Sequence, residues 1–188
     1  MTRWEPDARG RLESSALDLF LERGFERTTV QEIATRTGLT ERTYFRHFSD
    51  KREVLFYAAQ DFHNQVVTEV SKAPEGEPPL GAVLNGFRAA SHDFQARKAS
   101  IERRQRIIDL NSELEERELI KMSNLTSAVA QTLRDRGVDE MASRVASEAG
   151  LLIFRTAFDE WLKTDDSQKL EDLIGRATSA LVQMSSTI

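Results

Sequence analysis

The stretch TVQEIATRTGLTERTYFRHF, residues 29–48, holds two short segments with helical spacing of apolar side chains, separated by Gly38. Thr29 and Glu32 form a T-x-x-E capping box, which predicts the start of the first helix. Gly38 can adopt the left-handed backbone of a tight turn, and Thr40 can cap the second helix. The predicted buried face of the first helix comprises Val30, Ile33 and Ala34. The stretch therefore predicts two short helices joined by a glycine turn.

The second short helix mixes aromatic and basic side chains, and helical spacing separates them. At about 100° per residue, Tyr44 and Phe48 lie one turn apart on one side, so we expect them to pack against the preceding helices. The outward side is predicted to carry Arg42, Thr43, Phe45, Arg46 and His47. A helix-turn-helix requires a first helix that supports the second, and a second helix whose exposed side chains can contact the major groove of DNA.

The surrounding sequence extends this motif to a predicted three-helix domain over residues 1–57, followed by a second domain over residues 58–188. An apolar stripe on residues 12–20 predicts a preceding helix that Gly24 ends. Asp50 and Glu53 form a second capping box at the start of a long helix. Residues 36–52 contain five Lys or Arg and only two Asp or Glu, whereas the whole chain has a net charge of −5. A local basic face therefore lies on an acidic protein.

The remaining chain shows helical spacing almost everywhere and no strand-like alternation, so we predict an all-α fold of about nine helices. The last two helices carry apolar residues that can pair with their copies in a second subunit as a four-helix interface. Burial within one chain is the alternative. The predicted interface residues are Leu152, Leu170, Leu173, Ile174, Ala177 and Leu181.

Several function classes find no support in the sequence. The 188 residues include no cysteine, which excludes disulfides and thiolate nucleophiles. His63 and His92 are isolated, and no phosphate-binding glycine loop or nucleophile elbow occurs, so we predict no enzyme, no metal site and no cofactor. No apolar run approaches the roughly 18 residues of a membrane span, and the first residues lack a signal-like apolar stretch. We expect a cytoplasmic protein with no membrane partner.

The segment TTVQEIATRTGLTERTYFRHFSDKREVL, residues 28–55, resembles the N-terminal signature of TetR-family transcriptional regulators. It is most similar to variants with an R-T-aromatic-F-R-aromatic-F core, and the resemblance is specific over residues 10–57. It implies a helix-turn-helix DNA-binding domain followed by a helical ligand-binding and dimerisation domain. It also implies a homodimer that binds a pseudo-palindromic operator in double-stranded DNA. Each subunit then places one recognition helix in one half-site.

The resemblance assigns several of the DNA contacts by position. Arg42 is the first choice for reading guanine, because its two-donor fork fits O6 and N7. Phe45 departs from the family, which commonly has a tyrosine whose hydroxyl contacts phosphate; the bare ring is free to contact a thymine methyl or a sugar. The expected base contacts are Gln31, Glu41, Arg42, Thr43 and Phe45. The expected phosphate contacts are Thr29, Thr40, Arg46, His47 and Lys51.

The resemblance further implies a pocket in the second domain for an unidentified small-molecule effector. The candidate lining residues are Phe87, Phe94, Arg104, Met122, Phe158 and Trp161, for which core packing or a solvated helix face is the alternative. The predicted function is a ligand-responsive repressor. The alternative is a helical small-molecule-binding or interaction protein that has lost DNA binding. Loss of DNA binding should have removed the basic face while leaving the helix caps. This sequence keeps the basic face as well as the caps.

Overall fold

A computed structural model describes residues 7–165 and 167–185, and within these ranges the chain forms nine α-helices, one short 3-10 helix and no strand. This confirms the predicted all-α fold. The helices are α1 Ala8–Arg23, α2 Val30–Arg36, α3 Glu41–His47, α4 Glu53–Ser71, α5 Pro79–Ala90, the 3-10 helix Gln95–Arg97, α6 Lys98–Asp109, α7 Ser112–Asp135, α8 Glu140–Trp161 and α9 Leu170–Ser185.

The chain divides into two compact units. The first unit contains the chain up to Ala59 together with the segment Ala99–Glu118. The second unit contains Gln60–Lys98 and the chain from Leu119 onward. Helices α4 and α7 contribute residues to both units. Chain order alone did not indicate that Ala99–Glu118 groups with the N-terminal helices.

Local chemistry explains the boundaries of the helices in the first unit. Gly24 ends α1 with φ 87°, and its N–H donates to Phe20 O at 2.9 Å. Thr29 and Glu32 form the predicted capping box of α2. Gly38 makes the turn with φ 69°, a conformation that favours glycine. Thr40 caps α3 by accepting the Thr43 N–H at 3.2 Å.

The core of the first unit gathers apolar side chains from all of its helices. Tyr44 and Phe48 are 0% and 1% exposed, and they pack with α1 and α2 as helical spacing predicts. Ile107, Ile108 and Leu114 complete this core from the segment Ala99–Glu118. Helix α3 is therefore braced both by its neighbours in sequence and by residues about 60 positions away.

In the second unit, α8 packs against α5 and α9. Its approach to α5 depends on Gly150, where an added Cβ would lie 2.4 Å from Val83 Cγ1. Beside this contact, the rings of Phe87 and Phe154 stack with centroids 4.6 Å apart. No helix in the described part of the chain is long and apolar enough to cross a membrane.

Candidate nucleic-acid interface

The outward face of α3 is exposed and carries two arginines that have no partner among the described residues. Glu41, Arg42 and Arg46 are exposed, and the Phe45 ring is 52% exposed. Arg42 and Arg46 form no hydrogen bond or ion pair with any described residue. The two lie four positions apart on one side of the helix, so both guanidinium groups remain available to an external polyanion.

The inward face of α3 is anchored through Tyr44. Its hydroxyl donates to the backbone oxygens of Asp50 and Lys51, each at 3.3 Å. Burial, followed by the nearby negative charges of Asp50 and Glu53, raises the pKa of Tyr44 well above its usual range. The phenol therefore stays neutral and links α3 to the residues that precede α4.

The predicted contacts at the start of α2 and α3 already have partners within the protein. The Thr29 N–H and hydroxyl donate to one carboxylate oxygen of Glu32 at 2.8 and 3.0 Å. These bonds lower the pKa of Glu32. The Thr40 and Thr43 hydroxyls lie 3.1 Å apart and are hydrogen-bonded to each other. Gln31 is exposed on α2.

Two predicted phosphate contacts are less exposed than their sequence positions suggest. Lys51 Nζ donates to Phe25 O at 2.9 Å and lies 4.2 Å from the centroid of the Phe25 ring. His47 is half-buried, and its Nε2 is buried with no hydrogen-bond partner among the described residues. Nδ1 is therefore the ring nitrogen of His47 that remains for a phosphate oxygen.

The other cations of the basic face are used internally. Arg36 pairs with Glu22 through two bonds of 2.8 Å, which raise the pKa of Arg36 and lower the pKa of Glu22. Arg52 forms an ion pair with Glu113. Within the described residues, the positive charge open to a ligand on this face is thus concentrated at Arg42 and Arg46.

Sequence reasoning missed a set of arginine contacts that fasten the start of α4. Arg117 Nη2 lies 2.7 Å from Glu53 Oε2, and Nη1 lies 3.4 Å from Asp50 Oδ2. Arg104, predicted for the effector pocket, belongs to the first unit, where its Nε donates to Leu55 O at 2.6 Å. No local signal identifies such pairs, because their members are about 50 to 65 residues apart.

The second unit brings together four of the six predicted pocket residues. Phe87, Phe94, Phe158 and Trp161 lie in one aromatic cluster with Phe62 and Phe154. Phe62, Phe94 and Phe158 are half-buried, whereas Phe87 and Trp161 are 1% and 0% exposed. Trp161 Nε1 donates to Gln95 Oε1 at 3.1 Å. Met122 is half-buried on α7.

An open groove of about 870 Å³ lies elsewhere in the second unit, between α5 and α9. Its lining is mostly polar and includes none of the predicted pocket residues. The residues that line it are Asn85, Arg88, Glu171, Asp172, Gly175, Arg176, Ser179, Ala180 and Gln183. No group of three or more His, Asp or Glu residues suited to a metal occurs in the described ranges.

The predicted dimer residues differ in exposure. Leu152 is 60% exposed, and Ala177 and Leu181 are partly exposed. Three others are buried within the single chain and have little surface left for a second subunit: Leu170 at 5%, Leu173 at 3% and Ile174 at 0%. Two further apolar residues of α8 are strongly exposed, Met141 at 76% and Val145 at 62%.

Comparison with known protein families agrees with this geometry. The profile described as "Bacterial regulatory proteins, tetR family" matches residues 14–58, which include all of α2 and α3. A second profile, the MftR C-terminal domain of the same family, matches residues 77–185, more than half of the chain. The chain belongs to the TetR family. It is a TetR-family transcriptional regulator with the family's helix-turn-helix.

Curated relatives of this TetR-family chain are transcriptional regulators. It is 40% identical over 81 residues to TcmR, an HTH-type transcriptional regulator of Streptomyces glaucescens. That match covers 43% of this chain but only 36% of TcmR. It is 25% identical over 167 residues to FasR, an HTH-type transcriptional activator of Mycolicibacterium smegmatis. The second match covers 85% of this chain and 74% of FasR.

Solved structures show that the TetR-family fold extends over nearly the whole chain. FadR of Thermus thermophilus, a TetR-family transcriptional repressor solved with lauroyl-CoA, matches with a TM-score of 0.53 at 21% identity. The match covers 93% of each chain. At this identity the likeness shows the fold alone.

Proposed function

We propose that this regulator binds an operator in double-stranded DNA as a homodimer, with α3 of each subunit in one of two successive major grooves. Residues 1–57 are the proposed DNA-binding domain, and residues 58–188 the proposed effector and dimerisation domain. The observation that carries this proposal is the exposed face of α3. There Arg42 and Arg46 have no described internal partner, while Tyr44 holds the opposite face in the core.

Bases are read from α3 and the exposed end of α2. Arg42 donates in bidentate fashion to guanine O6 and N7, a pair that discriminates by ~1–3 kcal/mol. Gln31, Glu41 and Thr43 supply the remaining polar base contacts. Arg46 lies one turn beyond Arg42, and there it neutralises a phosphate.

The flanking phosphate contacts are completed by Thr29, Thr40, His47 and Lys51. An ammonium has three N–H donors, and Lys51 uses two of them on the carbonyls of Phe25 at 2.9 Å and Glu26 at 3.5 Å, so one remains for a phosphate. Thr29 is a weaker candidate, since the negatively charged carboxylate of Glu32 holds both of its donors. Of these two residues, Lys51 therefore contributes more to affinity for DNA of any sequence.

Dimerisation is assigned to the exposed face of α8. Met141, Val145 and Leu152 are spaced by four and seven residues, which places them within about 40° of one another around the helix. An exposed apolar stripe on one helix is the kind of surface that a two-fold axis can bury against its own copy. Such a dimer presents its two α3 helices to half-sites roughly 34 Å apart, or a multiple of one DNA turn.

The effector site is assigned to the aromatic cluster of the second unit. The half-buried rings of Phe62, Phe94 and Phe158 offer an apolar surface there. Phe87 and Phe154 pack against each other beneath this surface. We expect a small molecule with a substantial apolar part, in keeping with the lauroyl-CoA bound by FadR. In this proposal the protein is a repressor, and effector binding lowers its affinity for the operator.

Selection of binding sites from random double-stranded DNA with the purified protein tests the proposal. Because the dimer is symmetric, the enriched sequence should be a pseudo-palindrome whose halves are separated by about one DNA turn or a multiple. The matched control is Arg106→Ala, which removes an exposed arginine of α6 and should enrich the same sequence. Failure of the wild-type protein to enrich any sequence would contradict the proposal.

A further inference from the structure

We propose that Phe45 reads the 5-methyl group of a thymine in each half-site and so determines sequence specificity without a hydrogen bond. This inference rests on the proposed function, because it requires α3 to enter the major groove. It adds an apolar reading element to the polar contacts assigned above.

The exposure of Phe45 sets it apart from the other phenylalanines. The chain has ten, all in the described ranges, and Phe45 is the only exposed one, at 52%. It lies three positions after Arg42 and one before Arg46, about 60° and 100° from them around the helix and on the same outward side of α3. The arginines attract the DNA, and the ring approaches the bases with them.

A fixed support holds the Phe45 ring. It packs edge-to-face on Tyr44, with centroids 5.6 Å apart and planes at 81°. Tyr44 is itself fully buried and is tied to the Asp50 and Lys51 carbonyls. A ring supported in this way loses little conformational freedom when it makes a contact, so most of the contact energy is retained.

The chemistry of the ring selects its target in the groove. A phenylalanine can neither donate nor accept a hydrogen bond, so it gains nothing from a phosphate oxygen or from polar base edges. The thymine methyl is the apolar group that the major groove displays, and cytosine and adenine lack it. Burying one methyl-sized group contributes roughly a fourfold gain in affinity, and two symmetric half-sites raise this to roughly fifteenfold.

Substitution of thymine by deoxyuridine tests the inference, since the exchange removes the methyl and preserves base pairing. Each thymine of the selected operator is replaced in both half-sites, and dissociation constants are measured for wild-type protein and Phe45→Ala. One symmetric pair of positions should weaken wild-type binding roughly fifteenfold. The same exchange should change Phe45→Ala binding less than twofold. Arg46→Ala, which keeps the ring, should retain the full penalty.

The outcomes separate this inference from the proposed function. Wild-type binding that is selective for the operator yet insensitive to deoxyuridine at every position would overturn the role of Phe45 and leave the proposed function standing. A penalty that persists in Phe45→Ala would also overturn it, by assigning the methyl to another residue. Absence of selective DNA binding would overturn both. If Phe45→Ala binds weakly, lower salt strengthens its phosphate contacts and keeps the comparison measurable.

Discussion

Arg117 of α7 forms an ion pair with Glu53 in the first turn of α4, with Nη2 and Oε2 2.7 Å apart. The same guanidinium lies 3.4 Å from Asp50, which caps α4 by accepting the Glu53 N–H at 2.9 Å. The Asp50 carbonyl also accepts the Tyr44 hydroxyl. Through these contacts Arg117 supports the junction that holds α3 in place, so the position of α3 depends on a side chain far away in sequence.

Replacement of Arg117 by alanine should lower the free energy of unfolding by about 1–2 kcal/mol. It removes a bond to each of two carboxylates from a site where the Arg117 and Glu53 side chains are only 32% and 22% exposed. Urea denaturation followed by circular dichroism measures the loss. Arg106→Ala, at an exposed position of α6, should stay within about 0.5 kcal/mol of wild type. Equal stability of the two variants would show that the contact contributes nothing.

The parts of the fold that depend on neighbouring residues were predictable, and those that depend on distant residues were not. Thr29 with Glu32 and the glycine stop at Gly24 involve chemistry within four residues, so the sequence indicated the helix ends directly. The division of α3 into a buried Tyr44 and an exposed Phe45 followed from helical geometry alone.

The same reasoning could not assign the partners of long cationic side chains. Lys51 and Arg104 were predicted to meet phosphate and effector, yet both donate to backbone carbonyls that are 26 and 49 residues away. A flexible side chain can reach many acceptors, and only the tertiary fold decides which is nearest. Sequence spacing also could not show that Leu173 and Ile174 of α9 are buried within the single chain, where α9 packs mainly against α8.

The Tyr44→Phe variant should lack the part of the stability loss above pH 10 that ionisation of Tyr44 causes in the wild-type protein. Because burial raises the pKa of Tyr44 in the folded protein, the neutral phenol stabilises the fold fully below the unfolded-state pKa of about 10. As pH rises above 10, the unfolded state ionises first and stability falls. Thermal unfolding of wild type and Tyr44→Phe between pH 7 and 11 measures the difference. The wild-type midpoint should fall more steeply above pH 10, and parallel curves would contradict the assignment.

Two glycine-to-alanine substitutions should change stability in opposite directions. At Gly150 the new methyl would lie 2.4 Å from Val83 Cγ1, so α5 and α8 must separate at a cost of about 1–3 kcal/mol. At Gly175 of α9 the new methyl would lie more than 4 Å from every described residue outside its own stretch of helix, and alanine should stabilise the helix by about 0.5–1 kcal/mol. Urea denaturation of both variants tests the pair. A stabilising Gly150→Ala would contradict the close packing of α5 against α8.

Leu152→Glu should convert the proposed dimer to a monomer. Two copies of a leucine leave the interface and two carboxylates enter it, which weakens association by at least about 100-fold. Sedimentation at micromolar concentration should give a mass near twice 21.4 kDa for wild type and near 21.4 kDa for the variant. Leu110→Glu, at a residue 73% exposed in the first unit, is the control and should remain dimeric. A monomeric wild type would contradict the proposed interface.

The proposed function requires that the exposed face of α3 reads DNA sequence, and Arg42→Ala is the most direct test of this requirement. The measurement is the ratio of dissociation constants for unrelated DNA and for the selected operator, taken at one salt concentration for wild type and variant. Loss of a bidentate guanine contact should reduce this ratio by roughly 5- to 150-fold per half-site, while affinity for unrelated DNA changes little. An Arg42→Ala protein that keeps the wild-type ratio and prefers the same operator would contradict the claim.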